Sequence, residues 1–171
     1  MSLFHFVTVW SIESPREPVW NAIYHFEDWE KWWKGVEKTE VLDRGDANRI
    51  GFRTREVWKS VLPYKLRFET TVTRMEPMSV IEVKSVGELD GTGLMRFAGE
   101  GNFTLFQVDW EVRTAKPWMT LLTPILRPAF AWNHETIMNW GAECLAKKLN
   151  IPPITTLAKA TLERGDAAPG R

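Results

Sequence analysis

The sequence predicts an α+β domain, in which a curved antiparallel sheet of about seven strands wraps around a long C-terminal helix, with two short helices after the first strand. Three observations carry that prediction. The chain opens on an alternating apolar–polar segment, its middle is a long run of period-2 segments broken by turns, and a helical period takes over from Lys116 to about Asn150. Meander strands keep one face on a core and one in water. A sheet curved around the last helix then buries the apolar face of each.

Phe4, Phe6, Thr8, Trp10 and Ile12 alternate with His5, Val7, Val9, Ser11 and Glu13, which makes the first strand. Ser14 is the expected N-cap of the first helix, with Pro15 at its first position, where a missing N–H costs nothing. Val19, Trp20, Ile23 and Tyr24 form its apolar face. Asp28 is expected to cap a second helix in which Trp29, Trp32 and Trp33 fall on one side, and Gly35 ends it. Residues 36–44 form the next strand, reversed at Arg44-Gly45-Asp46. Ile50, Phe52, Thr54, Glu56 and Trp58 share one face of the third strand. Tyr64, Leu66, Phe68, Thr70 and Val72 share one face of the fourth, and Glu76-Pro77-Met78 turns the chain. Ile81, Val83, Ser85, Gly87 and Leu89 lead into Asp90-Gly91-Thr92-Gly93, which reads as a hairpin turn and not as a phosphate loop. Met95, Phe97 and Gly99 follow on the inner face. After Gly101-Asn102, Phe106, Val108, Trp110, Val112 and Thr114 make the inner face of the last strand before the helix. Within that helix Pro124 and Pro128 are expected to separate two pieces. The second piece places Phe130, His134, Ile137, Met138, Gly141, Cys144 and Leu145 on one face.

Residues 1–150 are read as a single domain and 151–171 as a tail, with a short helix at 156–164 and disorder over 166–171. With 44% hydrophobic and 26% charged residues, the chain is neither a disordered nor a membrane-embedded type. Its 22 basic and 22 acidic residues balance, so no basic field favours nucleic acid. The lone Cys144 permits neither an intrachain disulfide nor a cysteine zinc cluster. No leader pattern opens the sequence, and the most apolar stretch, residues 117–132, is too short and too interrupted to cross a bilayer. The expected setting is the cytoplasm, as a monomer or homodimer. Ten tryptophans remain to be placed. Each wants a partner for its N–H when buried, so they imply a large core or a lined cavity.

Two side chains stand out as candidates for chemistry. Glu56 lies by parity among Ile50, Phe52 and Trp58, where a buried carboxyl takes a raised pKa and can serve as general acid or base. The alternative is a place at the sheet rim, or a bulge that flips the register. His134 shares a helix face with Phe130, Ile137 and Met138; the choice there is between a ligand contact, a proton-transfer role and an ordinary core histidine. Asn133 offers an amide to a ligand, or a tie from the helix to a loop. His5 falls on the outer parity of the first strand and His25 at a helix end, so no metal site is expected. Arg53, Arg55, Lys65 and Arg67 read as a solvated outer face.

The element order resembles that of the START-like helix-grip superfamily, SRPBCC, and its bacterial polyketide cyclase/dehydrase-like members. The resemblance rests on Ser14-Pro15 through Val19-Trp20, Trp29-Glu30-Lys31-Trp32-Trp33, Leu62-Pro63-Tyr64, and Gly87-Glu88-Leu89 with Gly91 and Gly93. It continues through Lys116-Pro117-Trp118-Met119 and Trp132-Asn133-His134 with Met138, and spans residues 4–149. It implies a cavity between sheet and helix that receives an apolar or amphipathic small molecule, and it brings no single catalytic motif. Met95 departs from the pattern, standing where such sequences often carry Trp, and this changes the cavity's shape. The expected ligand-binding set is Trp33, Glu56, Trp58, Tyr64, Phe68, Met95, Trp110, Asn133, His134 and Met138, with no cofactor and no metal. The leading expectation is binding of a lipid, polyketide or aromatic compound. The alternatives are a cyclase/dehydratase-type enzyme using Glu56 or His134 as general acid/base, and a protein-interaction module built on exposed tryptophans of the second helix.

Overall fold

The computed structural model describes residues 2–114 and 117–164, with the side chains of 2, 114–126 and 162–164 left outside the description. In chain order the elements are β1 (Ser2–Ile12), α1 (Arg16–Tyr24), a 3₁₀ turn (Phe26–Asp28), α2 (Trp29–Trp32), β2 (Val36–Arg44), β3 (Phe52–Trp58), β4 (Leu66–Glu76), β5 (Val80–Gly87), β6 (Leu89–Ala98), β7 (Thr104–Thr114), α3 (Pro117–Leu149) and β8 (Thr155–Arg164). The strands form one antiparallel sheet in the order β2-β3-β4-β5-β6-β7-β1-β8. α3 packs on β1, β7 and β8. This is the α+β helix-grip architecture the sequence predicts, with eight strands instead of about seven.

Register shifts between β2 and β3 and between β4 and β5 place extra residues in the ladder, and such bulges increase local bending and twist. The inner faces hold the core. Trp10, Ile12, Val19, Ile23, Ile81, Phe106 and Leu145 are fully buried in one cluster, beside a second cluster of Phe4, Phe6, Val112 and Phe130. No helix among the described residues is long and apolar enough to cross a membrane.

The eighth strand corrects the expected helix at 156–164. Thr156, Ala158, Ala160 and Leu162 stand opposite Trp10, Thr8, Phe6 and Phe4, so β8 covers the free edge of β1. Period-2 alternation and three β-branched threonines favour a strand, and an unpaired edge supplies the ladder for it. The expectation for residues 166–171 lies outside the described residues, as does the side chain of Trp118.

Five smaller corrections follow. The β5–β6 reversal falls at Gly87, whose φ of 124° suits glycine, while Gly91 and Gly93 are strand residues and not the turn. They are glycines because of crowding. A Cβ at Gly91 would lie 1.9 Å from the Glu111 carbonyl oxygen, and one at Gly93 would lie 2.1 Å from the Trp110 ring. Helix α1 begins one residue later than expected. Pro15 is its N-cap, and the buried Ser14 hydroxyl makes no cap hydrogen bond. Asp28 does precede α2 but makes no side-chain cap either, its carboxylate being held by Lys31 at 2.5 Å. Ile50 belongs to the turn before β3 and is exposed, since it ends a tight reversal closed by Asp46. α3 is assigned as one helix through Pro124 and Pro128, not two pieces. The prolines stand four apart, so the N–H that Pro128 lacks is the one that would have met the Pro124 carbonyl.

Candidate functional site

Between the inner face of the sheet and α3 lies a cavity of about 150 Å³. Its walls are built by the alternation of the strands. Phe6 comes from β1, Glu56 and Trp58 from β3, Phe68 and Thr70 from β4, Met95 from β6, and Phe106 and Trp110 from β7. α3 adds Phe130, Asn133, His134, Ile137 and Met138, and Trp33 enters from the end of α2. All ten residues of the expected set therefore line one space, Tyr64 from the loop before β4 and not from a strand.

Glu56 is 2% exposed. Its Oε1 accepts hydrogen bonds from the Thr54 hydroxyl at 2.8 Å and the Thr70 hydroxyl at 2.9 Å, and the two hydroxyls are themselves 2.9 Å apart. Its Oε2 accepts the Trp58 indole N–H at 2.6 Å. Burial pushes the carboxyl pKa up, against the pull of these donors, and among the described residues no cationic side chain offsets it. The inner placement read from parity holds, and no bulge flips it. Thr54 and Thr70 are partners that sequence parity places inward without marking them. Their signal is polarity in an otherwise apolar inner column.

His134 stacks on Phe6, with ring centroids 4.3 Å apart and planes 11° from parallel. Burial lowers its pKa to about 4, so the ring is neutral at pH 7. Asn133 is 5% exposed, and its Oδ1 accepts from the Ser60 hydroxyl and the Val61 N–H, both at 2.9 Å. It ties α3 to the 59–65 loop, which also carries Tyr64 to the cavity and packs Leu62 beside Phe4 and Phe130. His5 faces outward beside Asp109, and His25 caps α1. Among the described residues no group of three or more His, Cys, Asp or Glu is placed to hold a metal.

The second-helix tryptophans are not an exposed patch. Trp29 and Trp33 are 6% and 4% exposed, and Trp32 is half-buried, stacked on Trp33. Trp29 donates to the Ile23 carbonyl and Trp33 to the Ile137 carbonyl, so both N–H groups are satisfied inside. This removes the basis of the interaction-module expectation. Among the described residues the exposed tryptophan is Trp132, on α3.

The fold is that of a helix-grip protein, with a largely apolar space between the sheet and α3. A sequence model of the family described as polyketide cyclase/dehydrase and lipid transport matches residues 12–145, and the chain belongs to that family. No curated protein sequence matches it. Solved structures similar in fold include a Thermus thermophilus protein, 22% identical over 84% of this chain and 98% of its own, with a TM-score of 0.65. A START superfamily protein from Mycobacterium smegmatis is 16% identical over 78% and 94%, at 0.62. The Zhui aromatase/cyclase from a Streptomyces species is 13% identical over 86% and 94%, at 0.65. At these identities the likeness is one of fold.

Proposed function

We propose that the protein binds a hydrophobic or amphipathic small molecule in the chamber, a lipid, polyketide or aromatic compound, through Trp33, Glu56, Trp58, Tyr64, Phe68, Met95, Trp110, Asn133, His134 and Met138. The observation that carries this reading is the lining. Sheet and helix turn aromatic and aliphatic faces into one space and leave a few polar groups among them, the usual make-up of a small-molecule site. Family membership supports the same reading. The polar groups set its electrical character, since a carboxyl with a raised pKa and an imidazole neutral at pH 7 suit an uncharged ligand. We place the protein in the cytoplasm, acting without metal or cofactor. The test is titration of the purified protein with a panel of apolar compounds, read by quenching of tryptophan emission, with native mass spectrometry of the untreated protein. Saturable quenching by at least one compound is expected; no quenching and no co-purifying mass would overturn the reading.

A second reading is favoured by Glu56 alone. A carboxyl held toward its protonated form inside an apolar chamber carries the proton that a departing hydroxyl needs to leave as water, and the neutral His134 imidazole is the base that takes the α-proton. On this reading the protein is a dehydratase or cyclase-type enzyme, and dehydration of a model β-hydroxyketone, followed by enone absorbance, is lost in Glu56→Gln and reduced in His134→Ala. Equal rates for wild type and buffer would sink it.

A further inference from the structure

Two of the chamber's tryptophans are packed against glycines, one on the sheet and one on α3. On the sheet, Gly93 of β6 stands opposite Trp110 of β7, and an added Cβ would come within 2.1 Å of Cζ3 and 2.3 Å of Cε3 of that indole. On α3, a Cβ at Gly141 would come within 2.4 Å of Cε2 and 2.5 Å of Cζ2 of Trp33. The Trp33 N–H donates to the Ile137 carbonyl at 3.1 Å, one helical turn before Gly141. Neither glycine has a positive φ, so backbone freedom does not explain it. Glycine weakens both a strand and a helix interior, and here the space a side chain would fill is occupied by an indole.

We propose that Gly93 and Gly141 set the width of the chamber, letting the Trp110 and Trp33 rings withdraw into sheet and helix, and that this width admits a flat aromatic molecule of one or two fused rings. The proposal rests on the binding role proposed above and narrows it. A cavity of about 150 Å³ is the size in which an apolar protein interior takes up a benzene ring. The indoles give it aromatic walls, and aromatic rings pair with such walls offset-stacked or edge-on. A methyl group at either glycine stands more than an ångström inside ordinary contact, so the indole must move off its wall and into the ligand's space.

The test compares wild type, Gly93→Ala and Gly141→Ala, each checked for native circular dichroism, by calorimetric titration with phenol, 1-naphthol, 1-hydroxypyrene and palmitate. Wild type is expected to bind phenol and 1-naphthol and neither larger probe. Each alanine variant is expected to weaken 1-naphthol at least about tenfold more than phenol, and the double variant Gly93→Ala/Trp110→Phe to recover it to within about threefold. Folded alanine variants with the wild-type ratio of naphthol to phenol overturn the proposal. If either alanine variant does not fold, Trp110→Ala decides: gain of 1-hydroxypyrene binding supports the width limit, and no gain overturns it. Wild type that binds palmitate or 1-hydroxypyrene as well as 1-naphthol overturns the size limit while the binding role stands. Wild type that binds none of the four overturns the proposal, and the binding role falls with it only when the wider panel and the native mass spectrum are blank as well.

Discussion

At the scale of residues, the chamber holds two titratable groups whose ordinary charges it suppresses, and each leaves a signature in stability against pH. Glu56 has a raised folded pKa, so its contribution is fully present below the unfolded carboxyl range and is lost as pH climbs through the folded value. Gln fits the same place, its carbonyl facing the Trp58 N–H and its amide the two threonine hydroxyls. We expect Glu56→Gln to match wild type in acid and to become the more stable protein as pH rises above the ordinary carboxyl range, measured by urea unfolding at several pH values. His134 works in the opposite direction. Its pKa falls from an unfolded 6.5 to about 4, so the unfolded chain takes up a proton first and stability drops as pH falls from 6.5 toward 4. His134→Phe, which keeps the stack on Phe6, is expected to remove that acid-side loss, worth up to ~3 kcal/mol, and to leave stability above pH 7 unchanged within about 1 kcal/mol.

At the scale of elements, the attachments of the 59–65 loop and of β8 can each be tested by one change. The loop is held to α3 through one amide oxygen, which accepts two hydrogen bonds. Asn133→Ala leaves the Val61 N–H without that acceptor and is expected to cost about 1–3 kcal/mol. The distinguishing readout is faster amide hydrogen exchange at residues 60–64 than elsewhere in the sheet. β8 is a ten-residue ladder on β1. A chain ending at residue 153 exposes that edge beside Phe4 and Phe6, and it is expected to aggregate at concentrations where the full chain stays in solution, as seen by light scattering.

Elements also differ in how openly the sequence declared them. β1, β3, β4 and β7 were legible because each alternates with period 2 around large apolar residues, and Glu56 was legible as a charged residue on the inner parity of β3. β8 was not, because its inner positions are Ala158 and Ala160, too small to mark a face until Phe6 and Thr8 stand opposite. Gly91 and Gly93 misread as a turn for a related reason. Dipeptide chemistry signals a reversal, whereas the crowding by Glu111 and Trp110 exists only after β7 has paired. The Glu56 hydroxyl partners likewise depend on the β3–β4 register, which sets Glu56 opposite Phe68 and Thr54 opposite Thr70.

At the scale of the whole molecule, the proposed ligand would touch sheet, α2, the 59–65 loop and α3 at once, so its binding energy would add to the stability of all of them. A ligand present at a hundred times its Kd is worth about 2.7 kcal/mol, which for a domain of this size raises the melting temperature by roughly 5–10 °C. Calorimetry of the saturated protein is expected to show one transition displaced upward by that amount. Two separated transitions would mean that the ligand holds only part of the fold.

The sheet order has a consequence for how the protein is made. β1 leaves the ribosome first, yet its two neighbours are β7 and β8, the last strands translated. The hairpins from β2 to β7 join neighbours in sequence and can zip as they emerge, whereas Phe4, Phe6, Trp10 and Ile12 must wait unpaired until Thr104–Thr114 has been synthesised. The nascent chain therefore carries the apolar face of β1 unpaired while β2 to β6 are made, open to chaperones. It also ends with Ser2 and Arg164 side by side, so that a short peptide joining them would give a circular permutant in which β1 is born next to its partners.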